Sequence, residues 1–125
     1  MLTDSPIIAF VGSQSPAEAR RFYEKDLGLS FVADEPFALV FDANGIMLRV
    51  TKLSEFEPLV FTVLGWEVKD IQGKVDGLTE RGVRIERFDG FEQDERGIAT
   101  FPGGTQVAWF KDPDGNMLSL TQLGD

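Results

Sequence analysis

Apolar residues along this chain alternate between strand-like runs and stretches of helical spacing, and the alternation occurs twice. Ile7 to Val11 is a short apolar strand. Ser15-Pro16-Ala17-Glu18 follows as a helix start, with Ser15 as N-cap, Pro16 at the first helical position and Glu18 reaching back from N3. Ala19, Phe22, Tyr23 and Leu27 fall on one helical face, and Gly28 supplies the left-handed stop. Extended segments at about 29–33, 37–42 and 46–52 complete the first unit. The second opens with Leu59 to Val68, whose first part is almost continuously apolar, the pattern of a strand covered on both faces. Asp70 is placed as the N-cap of a helix whose buried stripe is Ile71, Val75 and Leu78. Gly73 and Gly77 weaken that helix by about 1 kcal/mol each relative to alanine, so packing must supply its order. Strands are predicted near 83–88, 98–101, 105–111 and 116–122. Each unit therefore reads β-α-β-β-β.

The two units are copies of one pattern. Asp42-Ala43-Asn44-Gly45-Ile46-Met47-Leu48 aligns with Asp112-Pro113-Asp114-Gly115-Asn116-Met117-Leu118, each time a turn followed by an apolar run. Upstream, Gly28 and Gly82 each end a helical pattern. The two pairs of landmarks differ in offset by about 16 residues, which places an insert between Phe88 and Gly104 of the second copy. One domain of two repeats is predicted, about 1–55 and 57–125, joined near Ser54 to Pro58. The fold class is α+β.

Composition narrows the chemistry. In 125 residues with 42% apolar and 26% charged side chains, a single folded core is expected. The net charge of −9 opposes nucleic-acid binding, which needs a basic surface. No apolar run approaches the roughly 20 residues of a membrane span, so no membrane partner is expected. Met1 to Pro6 lacks the basic and apolar stretches of a signal peptide, and a cytoplasmic location is the expectation. The chain has neither cysteine nor histidine. That removes serine–histidine and cysteine–histidine catalysis and leaves only oxygen donors for a metal.

Three motifs then carry a family resemblance. Phe22-Tyr23-Glu24-Lys25-Asp26-Leu27-Gly28-Leu29, Trp66-Glu67-Val68-Lys69-Asp70 with Glu80-Arg81-Gly82-Val83, and Trp109-Phe110-Lys111-Asp112-Pro113-Asp114-Gly115-Asn116 resemble, in order and spacing, the signatures of the vicinal oxygen chelate superfamily, the glyoxalase/bleomycin-resistance/dioxygenase group. The resemblance implies paired βαβββ units whose curved sheets enclose a cavity, and small members that pair as homodimers. It also implies metal ligands, typically His, Glu or Gln, near the start of each unit's first strand and on its last strand. Carried over, those places fall on Ile8, Arg49, Val63 and Ser119. Two of these have no donor atom, one is a fixed cation, and a lone serine binds metals feebly. No metal and no cofactor is therefore expected.

Side chains two apart on a strand share a face. Phe10 should accompany Ile8; Met47 and Thr51 should accompany Arg49; Phe61 and Gly65 should accompany Val63; and Met117 and Thr121 should accompany Ser119. Trp109 joins them if Phe110 packs against the helices. The expected ligand-binding set is thus Ile8, Phe10, Met47, Arg49, Phe61, Val63, Trp109, Met117, Ser119 and Thr121, a largely apolar lining suited to a small molecule. Arg49 suits a ligand carboxylate or phosphate, or an internal acid such as Glu67. Glu67 is the candidate general base if the protein is instead an enzyme of this group with a relocated or metal-free acid–base site. The insert is read as an acidic, polar loop over the mouth of the pocket.

Overall fold

The computed structural model describes residues 1–124. It divides into two compact units, Met1–Pro58 and a second beginning at Leu59.

In unit 1, β1 (Ile8–Ser13) is followed by α1 (Pro16–Arg21), β2 (Ser30–Asp34), β3 (Ala38–Ala43) and β4 (Ile46–Lys52). The strands form one mixed sheet in the order β1-β4-β3-β2, with β1 parallel to β4 and the other pairs antiparallel. Leu39, Phe41, Leu48, Val50 and Val11 form one buried face of that sheet, with Ala19, Phe22 and Tyr23 of the helical segment also buried. Tyr23 lies 5.8 Å from Phe41 and edge-on to Phe22 at 5.2 Å.

Two local readings change. Pro16 does open the helix, but Ser15 makes no side-chain capping bond, so the expected capping box does not form. Its backbone N–H instead donates to the hydroxyl of Ser13, a fully buried residue, at 3.0 Å. The helix also does not stay α-helical to its end. Phe22–Asp26 form a π-helical turn closed by Leu27 N–H to Phe22 O, before Gly28 takes φ +76°.

Gly12 is bare for a steric reason. A Cβ there would lie 2.5 Å from Phe56 Cε1 and 3.0 Å from Leu53 Cδ1, because the segment after β4 folds back over β1. Gly12→Ala is expected to cost about 1–2 kcal/mol in urea unfolding as Phe56 is displaced. An unchanged midpoint would show that Phe56 moves freely.

In unit 2, β5 (Thr62–Glu67), α2 (Ile71–Glu80), β6 (Ala99–Thr100), β7 (Gln106–Lys111) and β8 (Met117–Gln122) follow in order. The sheet order β5-β8-β7-β6 repeats that of unit 1, again with its first and last strands parallel. Asp70 caps α2 by accepting from Gly73 N–H at 3.1 Å, and Ile71, Val75 and Leu78 are its buried stripe. Gly73 has a use: a Cβ there would meet the capping carboxylate at 2.3 Å.

Two predicted strands differ. The strand expected from Leu59 begins only at Thr62, and Leu59, Val60 and Phe61 are exposed rather than covered on both faces. β5 pairs only with β8, whose register starts at Thr62 opposite Met117. Before Met117 the Asp112–Asn116 turn leads the chain back to β7, so earlier residues have no partner there. The strand expected at 83–88 shrinks to a single bridge, Ile85 to Phe110. The side chain of Gln93 takes the place of a neighbouring strand, accepting from Phe88 N–H at 2.8 Å and donating to Glu86 O at 2.9 Å.

Among the described residues each sheet is an open four-stranded ladder, so neither unit closes into a barrel by itself. Among the described residues no helix is long and apolar enough to cross a membrane.

Candidate functional site

Each sheet has one face against its helix and one face without it, and the register decides which predicted side chains share the latter. In unit 1, Ile8 lies opposite Met47 and Phe10 opposite Arg49 on parallel strands, so all four share that open face. Ile8, Phe10 and Met47 remain 46%, 59% and 41% exposed, whereas Leu48 and Val50, pointing the other way, are buried. Within unit 1, Arg49 Nη2 donates to Glu35 Oε1 at 2.9 Å, from the turn between β2 and β3, and Arg49 Nη1 lies 4.0 Å from Met47 Sδ.

In unit 2, Met117, Ser119 and Thr121 face away from α2, as Leu118 and Leu120 lie opposite the fully buried Phe110 and Ala108. Trp109 lies opposite Ser119 and so shares their face. Trp66 turns the other way and stacks on Phe110 at 6.4 Å. A register shift between Thr62 and Leu64 breaks the expected alternation on β5. Thr62, Gly65 and Glu67 are the residues opposite Met117, Ser119 and Thr121. Val63 sits at the shift, and Phe61 precedes the strand, so these two leave the predicted row. Glu67 is exposed and keeps its place beside Thr121. Met117 and Ser119 are buried, and a Cβ at residue 65 would stand 2.7 Å from Ser119 Oγ. Glycine there is what admits the serine hydroxyl.

The insert holds what the sequence reading missed. Rather than a purely polar loop, it lays three phenylalanines around Trp109: Phe88 at 5.4 Å, Phe91 at 5.5 Å and Phe101 at 6.4 Å. A signal was present, since a solvated acidic loop has no use for three aromatic residues. Gln93 organises the segment, adding a bond to Gly97 O at 2.8 Å. Arg96 fastens it to α2 through Asp76 at 2.9 and 3.3 Å. That hydrogen bond, with the Asp76 charge, raises the Arg96 pKa further above its ordinary value. An open cleft of about 660 Å³ is lined by Phe88, Phe91 and Ile98 together with the polar Arg87, Glu92 and Asp94.

Two mixed four-stranded sheets, each with its first and last strands paired in parallel and one covering helix, define a duplicated βαβββ protein. The model of the glyoxalase/bleomycin resistance protein/dioxygenase superfamily matches residues 8–120, and the chain belongs to that superfamily. Solved structures agree in fold. A lactoylglutathione lyase from Agrobacterium tumefaciens superposes with a TM-score of 0.74 at 16% identity, over 96% of this chain and 95% of its own. A superfamily member from Alicyclobacillus acidocaldarius gives 0.74 at 16%, over 98% and 93%. One from Sphaerobacter thermophilus gives 0.71 at 22%, over 93% and 96%. No protein of curated function matches the sequence.

The superfamily's metal can be tested against the residues at its expected places. Ile8 and Val63 offer no donor atom. Arg49 is a cation already turned toward a carboxylate, and Ser119 offers one neutral hydroxyl buried over Gly65. A divalent cation asks for several anionic or imidazole donors, and this set does not fit one.

Proposed function

We propose that this protein binds a small, partly apolar molecule on the open faces of its sheets, without the superfamily's usual metal. The observation that carries the reading is the open face of unit 1, where Ile8, Phe10 and Met47 stand exposed around Arg49 in place of a donor set. Exposed apolar side chains grouped on one sheet face are costly in water unless something covers them. In unit 2, Trp109 and Thr121 stand on the corresponding face, where Met117 and Ser119 are buried. The superfamily includes proteins that bind a ligand without transforming it, which fits a face poor in acid–base groups. Self-association as a homodimer and a cytoplasmic location belong to the same proposal. Mass spectrometry of gently purified protein, with metal analysis, tests it. An apolar small molecule and no stoichiometric transition metal are expected; stoichiometric zinc, nickel or iron would overturn it.

One observation favours a second reading. Glu67 is exposed beside Thr121 on the same face as Ser119, where a carboxylate can act as a general base in a metal-free reaction. On that reading Glu67→Gln abolishes a turnover measured with wild-type protein while far-UV circular dichroism is unchanged. Retained turnover removes Glu67 from the chemistry.

A further inference from the structure

We infer that Arg49 is an anion receptor built into the open face of unit 1, and that the molecule it receives is a small apolar carboxylic acid. The inference rests on the binding function proposed above and names the ligand class. Among Ile8, Phe10 and Met47 this face carries a planar guanidinium with several N–H donors.

The geometry suits a planar monoanion. Arg49 is not buried, with 27% of its side chain accessible, and Phe10 is its neighbour across β1. Ile8 and Met47 continue the same face beyond it. A carboxylate on the guanidinium therefore places its hydrocarbon portion over Phe10, Ile8 and Met47, covering the apolar surface that is otherwise left to water. Glu35 engages one nitrogen of the five-donor fork, through one oxygen, from a position that is 47% exposed. The 4.0 Å approach of Nη1 to Met47 Sδ is a weak bond that an oxygen replaces readily. A ligand that displaces the sulfur and shares Nη2 with Glu35 would then meet two N–H groups, the number a carboxylate accepts in bidentate fashion.

Charge selects between carboxylate and phosphate. Glu35 stands beside Arg49, and Asp42 lies opposite Met47 on the same face, while the chain carries a net charge of −9. A dianion meets twice the repulsion of a monoanion from these groups and from the long-range field. The exposed Glu35–Arg49 pair is of the kind whose net worth is small, so a ligand that exchanges one carboxylate for another loses little. Glu35 then acts as a resting counter-ion and competitor.

That last role makes the inference testable. Full-length protein is titrated at low salt with 3-phenylpropionate and with its neutral isostere 3-phenylpropanamide, following amide and methyl chemical shifts by NMR. The wild type is expected to prefer the acid by about tenfold. Arg49→Gln should erase that preference while the amide binds as before, which also reports that the face is intact. Arg49→Lys should retain only part of it, since an ammonium lacks the planar fork. Glu35→Gln should tighten the acid by about threefold to tenfold and leave the amide unchanged. A purely structural ion pair predicts the opposite, because losing Glu35 would then loosen the face and weaken both probes. Equal affinity for acid and amide, or weaker acid binding in Glu35→Gln, overturns the anion site and leaves the apolar-binding function standing. Absence of binding by either probe overturns both.

Discussion

Replacing Trp109 with alanine is expected to destabilise the protein by about 3 kcal/mol and to release the insert from its sheet. Trp109 is the ring that Phe88, Phe91 and Phe101 all pack against, and no backbone ladder of comparable extent holds that segment. β6 is two residues long, and 83–88 contributes a single bridge. Truncation removes the common partner of three aromatic contacts, each worth about 0.5–1.5 kcal/mol beyond its buried area. Gln93 and the Arg96–Asp76 pair remain, but the latter is exposed and holds the segment weakly. Limited proteolysis should therefore cut within 88–104 well before the rest of the chain, and the urea midpoint should fall. Trp109→Phe should restore most of both. If Trp109→Ala leaves the insert as resistant as wild type, the aromatic cluster is not what anchors it. The chain has two tryptophans, so the residual fluorescence of Trp109→Ala reports Trp66 alone and tests whether the helix-facing side of the sheet stays packed.

Asp112→Ala is expected to cost about as much, roughly 3 kcal/mol, from a single carboxylate. Asp112 is 5% exposed and its Oδ1 accepts from the N–H groups of Asp114 and Asn116, both at 2.9 Å, while Oδ2 accepts from Asn116 Nδ2 at 2.7 Å. Removing it takes this acceptor from two backbone N–H groups and one side-chain amide of a partly buried turn. Hydrogen bonds to a charged acceptor are the strong class, and an orphaned buried donor bears its full desolvation cost. Asp112→Asn should recover only part, because an amide nitrogen would then confront at least one of these donors. Chemical denaturation of the three proteins gives the order wild type, Asn, Ala. Equal stability of Asp112→Ala and wild type would mean that water replaces the carboxylate without loss. The first copy of this turn bears less load: there Gly45 N–H reaches Asp42 Oδ2 at only 3.4 Å, and Asp42 is exposed. The corresponding Asp42→Ala change should therefore be far milder.

The comparison of those two turns shows why the duplicated fold was legible before any coordinates. An Asp, a left-handed Gly and an apolar run recur because a tight turn into a strand needs φ above zero at one place, and only certain residues reach it cheaply. Gly45 and Gly115, both at φ +88°, answer that need, as do Gly28 and Gly82 after their helical segments. The cap of α2 and its stripe of Ile71, Val75 and Leu78 were equally readable, since both are set within a few residues of chain. The division of each strand into a helix-facing and an open side followed from the alternation wherever the pairing was regular, as on β1, β4 and β8.

It failed on β5, where one shifted residue moved Val63 and Phe61 out of the row and brought Thr62 into it, while Gly65 kept its expected place opposite Ser119. Strand parity is a local rule, but register is decided by which residues of β8 stand opposite, and no property of residues 61–67 announces the shift. The partner of Arg49 was undetermined for the same reason, since Glu35 reaches it only because β3 returns antiparallel beside β4. The aromatic cluster on Trp109 needed the insert to fold back across the sheet, a consequence of Gln93 bonding simultaneously to Glu86, Phe88 and Gly97. What the sequence determined alone was the glycine turns, the cap and stripe of α2 and, with the repeat, the family. Only the tertiary structure decided which side chains meet, because those pairings depend on register and on residues far apart in the chain.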